Sequence, residues 1–189
     1  MIPLISELYP SRMALDASAG LVVIVLHGYF LALAAKLLGD NGPTYDGRLT
    51  LDPTPHVDVF SLLGMVLANV AWVKPMDIRP GDIGRGFWGI GIAVASALLA
   101  TFMLGRVVAA SRPIILALTP PDLLQGTQAW FATFVLLSDR VALINLLPIF
   151  ALTGAHLLRP YLPGFITAHA RWSSPLTLAF VCALEIWVW

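Results

Sequence analysis

The chain has 189 residues, of which 58% are hydrophobic and 12% charged, with a formal net charge of zero and a mean hydropathy of +0.83. A soluble globular domain carries about twice that charge, so the composition excludes an ordinary soluble fold and predicts one domain of membrane helices over residues 1–189. With no basic block to follow phosphates, nucleic acid is excluded as a partner and membrane lipid is the expected surrounding, while the single cysteine, Cys182, reads as a small hydrophobe and excludes a disulfide within the chain.

The opening MIPLISELYPSRMALD lacks a basic start and carries Glu7, Arg12 and Asp16 before the first long apolar run, which distinguishes it from a secretory signal. Gly20 to Leu38 is the first expected span, since a hydrocarbon core about 30 Å thick takes about 20 residues. The turn-forming Gly39, Asp40, Asn41, Gly42 and Pro43 close it, and its interior polar groups are His27 and Tyr29. In GRLTLDPTPHVD, residues 47–58, polar and apolar side chains alternate around two prolines, so 47–56 is expected as an extended or edge-strand segment. Val57 to Val73 is a second apolar helix, short for a full span. Behind it, Lys74, Asp77, Arg79, Asp82 and Arg85 predict a loop at the membrane interface, flanked by Trp72 and Trp88 as interfacial aromatics.

Gly86 to Val108 is the third helix, with small residues at Gly89, Gly91, Ala93, Ala95 and Ala97 that allow close packing. SRPIILALTPPD, with three prolines, reads as a short re-entrant or interfacial piece. Leu123 to Leu147 is the fourth helix, interrupted by Ser138, Asp139 and Arg140; an acid next to a base marks either a break near the surface or a protein-lined interior, and the break is expected. Pro175 to Trp189 closes the chain, with Trp187 and Trp189 as interface anchors and Glu185 reaching headgroups or water. His169, beside Arg171, reads as a solvated loop residue, and the basic residues are spread too evenly to fix an orientation. The expected fold class is an all-α integral membrane protein of about five to six transmembrane or re-entrant helices with one short extended segment.

Four stretches share an order and spacing: LHGYFLA, GRLTLDPTPHVDVFSLLG, WVKPMDIRP and NLLPIFALTG. Together they resemble the site-2 protease family of intramembrane zinc metalloproteases, in particular small bacterial members without a PDZ insert. In that family the first core helix carries HExxH, the next segment reads close to GRLTLNPxxHxDxxG, a loop reads WxKPVxVNP and a late helix carries NLLPIPPLDG. The resemblance covers residues of about 20–160, followed by a C-terminal helix at about 175–189.

What the resemblance implies is a zinc site of two helix histidines and a late aspartate, with the glutamate as general base toward a metal-bound water. Carried across by position, His27 matches the first histidine, while Gly28 replaces the glutamate, Leu31 the second histidine and Thr153 the aspartate. Loss of a general base alone removes about 10²- to 10⁴-fold in rate. The chain therefore reads as a proteolytically inactive relative with no cofactor, zinc included. Its expected role is an accessory subunit or assembly factor that binds transmembrane helices of other integral membrane proteins, in the bacterial cytoplasmic (inner) membrane. An active protease with a rebuilt metal site of His27, His56, Asp58 and His156 is the alternative, and a small transporter or channel lined by Asp139, Arg140 and Glu185 the third reading. His27 is expected to bond a backbone carbonyl, Asn145 or Thr153. His56 and Asp58 are expected to cap the second helix, and Asn145 and Pro148 to keep a broken helix facing the former cleft.

Overall fold

In the computed structural model the described residues are 10–149, 151–159 and 161–188, with the side chains of 163–170 and 186–188 left aside. They form six α-helices and one 3-10 helix, and no strand. In chain order these are α1 (Pro10–Leu37), α2 (Gly42–Tyr45), α3 (Val59–Ala68), α4 (Phe87–Leu118), α5 (Leu124–Ile144), the 3-10 helix η1 (Thr153–Leu157) and α6 (Pro163–Val188). Two of them, α1 and α4, are long and apolar enough to cross a membrane.

α1, α4 and α5 pack on one another, α3 packs on α1 and α6, and η1 lies against α4. The core between them is apolar: Val23, Ile24 and Leu31 of α1 meet Ile90, Val94 and Leu98 of α4 and Phe134, Leu137 and Val141 of α5. Small residues permit that approach, because a β-carbon on Gly20 would overlap Met65 and one on Gly105 would lie 2.8 Å from Ser138 Cβ. Outside, α4 carries exposed Leu99, Met103, Val107, Ile114 and Leu118. Such a row is unfavourable in water and suited to lipid.

Several boundaries differ from the sequence reading, each for a physical reason. α1 includes Ser11 to Ala19, which are mostly good helix formers and whose buried Asp16 is held by Arg12 one turn earlier and by Thr133 of α5. α4 continues through Pro113 and SRPIILAL to Leu118, so that piece is helix and not re-entrant. α5 runs unbroken through Ser138, Asp139 and Arg140 because all three are partnered: Ser138 donates to the Phe134 carbonyl, and the two charges find opposite charges on α4 and α6. The expected break is absent there.

α6 runs through Pro175 from Pro163, placing position 169 in a helix and not a loop, while the side chains of His169 and Trp187, and all of Trp189, lie outside the described residues. Segment 47–56 is turns and irregular backbone, not an edge strand. Asp52 accepts from the Thr54 N–H and hydroxyl in a local turn that competes with extended pairing, and His56 and Val57 close onto the Pro53 carbonyl. α3 ends at Ala68, where Asn69 takes a left-handed conformation with φ 48°. Trp72 beyond it is fully buried, so it belongs to the core and not to an interfacial belt, whereas Trp88 is 74% exposed.

Candidate functional site

His27 sits in the middle of α1 with no exposed surface. Its Nδ1 lies 2.8 Å from Thr101 Oγ1 of α4 and its Nε2 2.8 Å from Thr153 Oγ1 of η1. The Thr101 hydroxyl donates to the Ala97 carbonyl at 2.8 Å, so its oxygen is left to accept, and Nδ1 carries the ring proton. Nε2 then holds the lone pair and accepts from the Thr153 hydroxyl. A neutral imidazole is satisfied at both nitrogens.

The network continues into the chain break after α5. Asn145 caps that helix, donates from Nδ2 to the Ala71 carbonyl at 2.8 Å, and accepts the Thr153 N–H at 3.3 Å. Its own carbonyl accepts from Gly154 N–H at 2.7 Å. Helix geometry stops at Asn145, and the turn Leu146–Leu147 leads into Pro148, so α5 ends at the place where a broken helix was expected. Thr153 was foreseen as a partner for His27. Thr101 was missed, though a threonine in the apolar run ATFMLG is a polar group in search of a partner.

His56 lies next to Gly28. A β-carbon built at position 28 would overlap His56 Nδ1 and lie 2.6 Å from Val73 Cγ2. The ring is anchored by Nε2 donating to the Thr50 carbonyl at 2.9 Å, which leaves Nδ1 as a buried lone pair with no partner among the described residues. Burial pushes the His56 imidazole below its usual pKa. Asp58 is the N-cap of α3, accepting Phe60 N–H at 2.7 Å, and also accepts the Ser174 hydroxyl of α6 at 2.6 Å. Of the two residues expected to cap α3, Asp58 does so and His56 does not; His56 folds back on its own loop. His156, half-buried, is in η1.

The irregular stretch from Val70 to Ile78 follows α3, and several of its carbonyls are taken up by side chains of the same protein. Asn145 takes Ala71, Ser61 takes Trp72 at 2.5 Å, and Arg48 takes Lys74 at 3.1 Å and Pro75 at 3.0 Å while also bonding the Pro55 carbonyl. Arg159 adds an ion pair to Asp77 at 2.5 Å.

Zinc in a catalytic centre needs three side-chain ligands and an open position. Here the positions matching base and ligands hold Gly28, Leu31 and Thr153, and the lone pair of His27 is engaged by a hydroxyl. Among the described residues no three His, Cys, Asp or Glu side chains form a group that could hold a metal, and His27, His56, Asp58 and His156 are not assembled into one. These residues do not fit the ion.

Both charges of α5 are paired. Arg106 of α4 bonds Asp139 at 2.6 Å, and Arg140 bonds Glu185 of α6 and the Ala68 carbonyl at the end of α3. Glu185 thus meets an arginine of α5, with its side chain 16% exposed. Asp139, Arg140 and Glu185 tie helices together.

Among curated proteins the chain is similar to "Putative zinc metalloprotease YwhC" of Bacillus subtilis (strain 168), 23% identical over 181 aligned residues that cover 89% of this chain and 77% of that protein. No family model and no solved structure matches the chain. A distant relationship to a membrane metalloprotease-like protein is what the likeness supports.

Proposed function

We propose that the protein is a non-catalytic integral membrane relative of the site-2 proteases, residing in the bacterial cytoplasmic membrane as an accessory subunit or assembly factor that binds transmembrane helices of other membrane proteins. One observation supports the reading: the hydroxyl of Thr153, the residue that matches the ligand aspartate in the motif, bonds Nε2 of His27, which matches the first histidine. A hydroxyl in that place neither neutralises a divalent cation nor frees the imidazole for it. The loss of a carboxylate at Gly28 removes the group that would take a proton from a bound water. What the fold retains is an apolar exterior on α4, which suits partners within the bilayer.

The test is metal analysis of protein purified in mild detergent without added zinc, together with the set of proteins that co-purifies. The expected outcome is far less than one equivalent of metal and membrane proteins in fixed ratio. One equivalent of zinc, lost on His27→Ala, would return the protein to the active metalloproteases.

A further inference from the structure

The relatives that the motifs resemble hold a glutamate where this chain has Gly28, together with a histidine at the place of His56. Both residues cannot sit here as His56 does, since even a β-carbon at position 28 would overlap the ring and press on Val73. His56 has no freedom to swing aside while Nε2 stays on the Thr50 carbonyl, and that loop is tied by Arg48 to the Pro55, Lys74 and Pro75 carbonyls. His27, Leu31, His56, Asn145 and Ala71 have no exposed surface, and Thr153 has 1%. That sealing is achieved by this chain alone.

We propose that the glycine at position 28 lets the 47–58 loop close onto α1, so that the former active-site cleft is filled from within and accepts no lipid, pigment or peptide. The imidazole of His56 takes the volume that a side chain at position 28 would need, and Val73 backs it. The hydroxyls of Thr101 and Thr153 take both nitrogens of His27 from the other side. The Ala71, Trp72, Lys74 and Pro75 carbonyls already have donors from Asn145, Ser61 and Arg48, so a peptide would have to displace these to pair along the segment. For partners the consequence rests on the function proposed above: transmembrane segments dock folded on the outer helix faces and do not unwind inside the cleft.

The test is thiol labelling of the full chain in detergent with N-ethylmaleimide, in a Cys182→Ala background. Val73→Cys, 3% exposed, reports on the closed cleft, and Tyr45→Cys, 83% exposed, is the open control. A buried thiol reacts through local opening, so labelling at position 73 is expected at least about 100-fold slower than at 45. Comparable rates at the two positions would overturn the closure. Adding Gly28→Ala should push His56 and Val73 aside and raise the rate at 73 about tenfold or more. His56→Ala, which opens the same place by removing volume, should raise it too and serves as the measure if the Gly28→Ala chain does not fold. An unchanged rate in a folded variant overturns the role given to Gly28. Labelling judges the cleft, and metal content with co-purification judges the function, so either can fail alone.

Discussion

Two polar knots hold the helices together, one buried and one half-buried, and they are built from opposite materials. Around His27 every group is neutral: an imidazole between two threonines, with an asparagine behind them. Around Arg140 the groups are ionic, a guanidinium that joins the Glu185 carboxylate of α6 to the open carbonyl end of α3. A neutral group without its partner loses a hydrogen bond, whereas an ion without its partner leaves a charge in a poorly solvated place. The two knots should therefore respond differently to the same truncation.

The largest effect is expected at the ionic knot. Arg140→Ala leaves Glu185 and the Ala68 carbonyl without that donor and should destabilise by about 3 kcal/mol, read from unfolding in mixed detergent micelles by circular dichroism. The double change Arg140→Met with Glu185→Leu removes both charges and should restore most of that loss; if it is no more stable than the single variant, charge burial is not the cause. His27→Ala leaves the Thr153 hydroxyl only the longer bond to Asn145 Oδ1 at 3.4 Å and removes the donor to Thr101, so about 2 kcal/mol is expected in the same assay. A loss exceeding that of Arg140→Ala would reverse the ranking of the two knots.

Outside both knots the effects shrink. Asp58→Ala removes the cap of α3 and the bond to Ser174, for about 1 kcal/mol, visible as faster amide exchange in the first turn of α3. Asp82→Ala breaks a pair with Arg79 at 3.8 Å between side chains more than half exposed, and a shift of at most about 0.5 kcal/mol is expected in the unfolding midpoint. A larger shift would mean that the loop between α3 and α4 is less exposed than its geometry implies.

The neutral knot was partly legible in the sequence. A histidine in an apolar run needs a partner, and Thr153 and Asn145 could be named for it because the late motif is recognisable. Thr101 could not, since nothing in TFMLG says which face of α4 meets α1. The ionic knot was misread because adjacent charges in one helix look like an interruption until Arg106 and Glu185 arrive from other helices. Helix ends erred in both directions: α1, α4 and α6 run on past the apolar stretches that located them, through Ala-rich turns in α1 and through single prolines in α4 and α6, whereas α3 and α5 stop short, at Ala68 and Ile144. Proline removes one backbone donor, a loss that the longer helices absorb. Alternation in GRLTLDPT suggested a strand, but Asp52, Pro53 and the Arg48 fork spend the backbone on turns and side-chain contacts instead.

The bonds of His27 also set an order of events in time. Its two partners lie 74 and 126 residues further along the chain. At about 5–20 residues per second, synthesis brings Thr153 out on the order of ten seconds after His27. Through that interval α1 must wait with its imidazole answered by water, by lipid headgroups or by the insertion machinery, and it comes to rest only when η1 follows α4 to claim it.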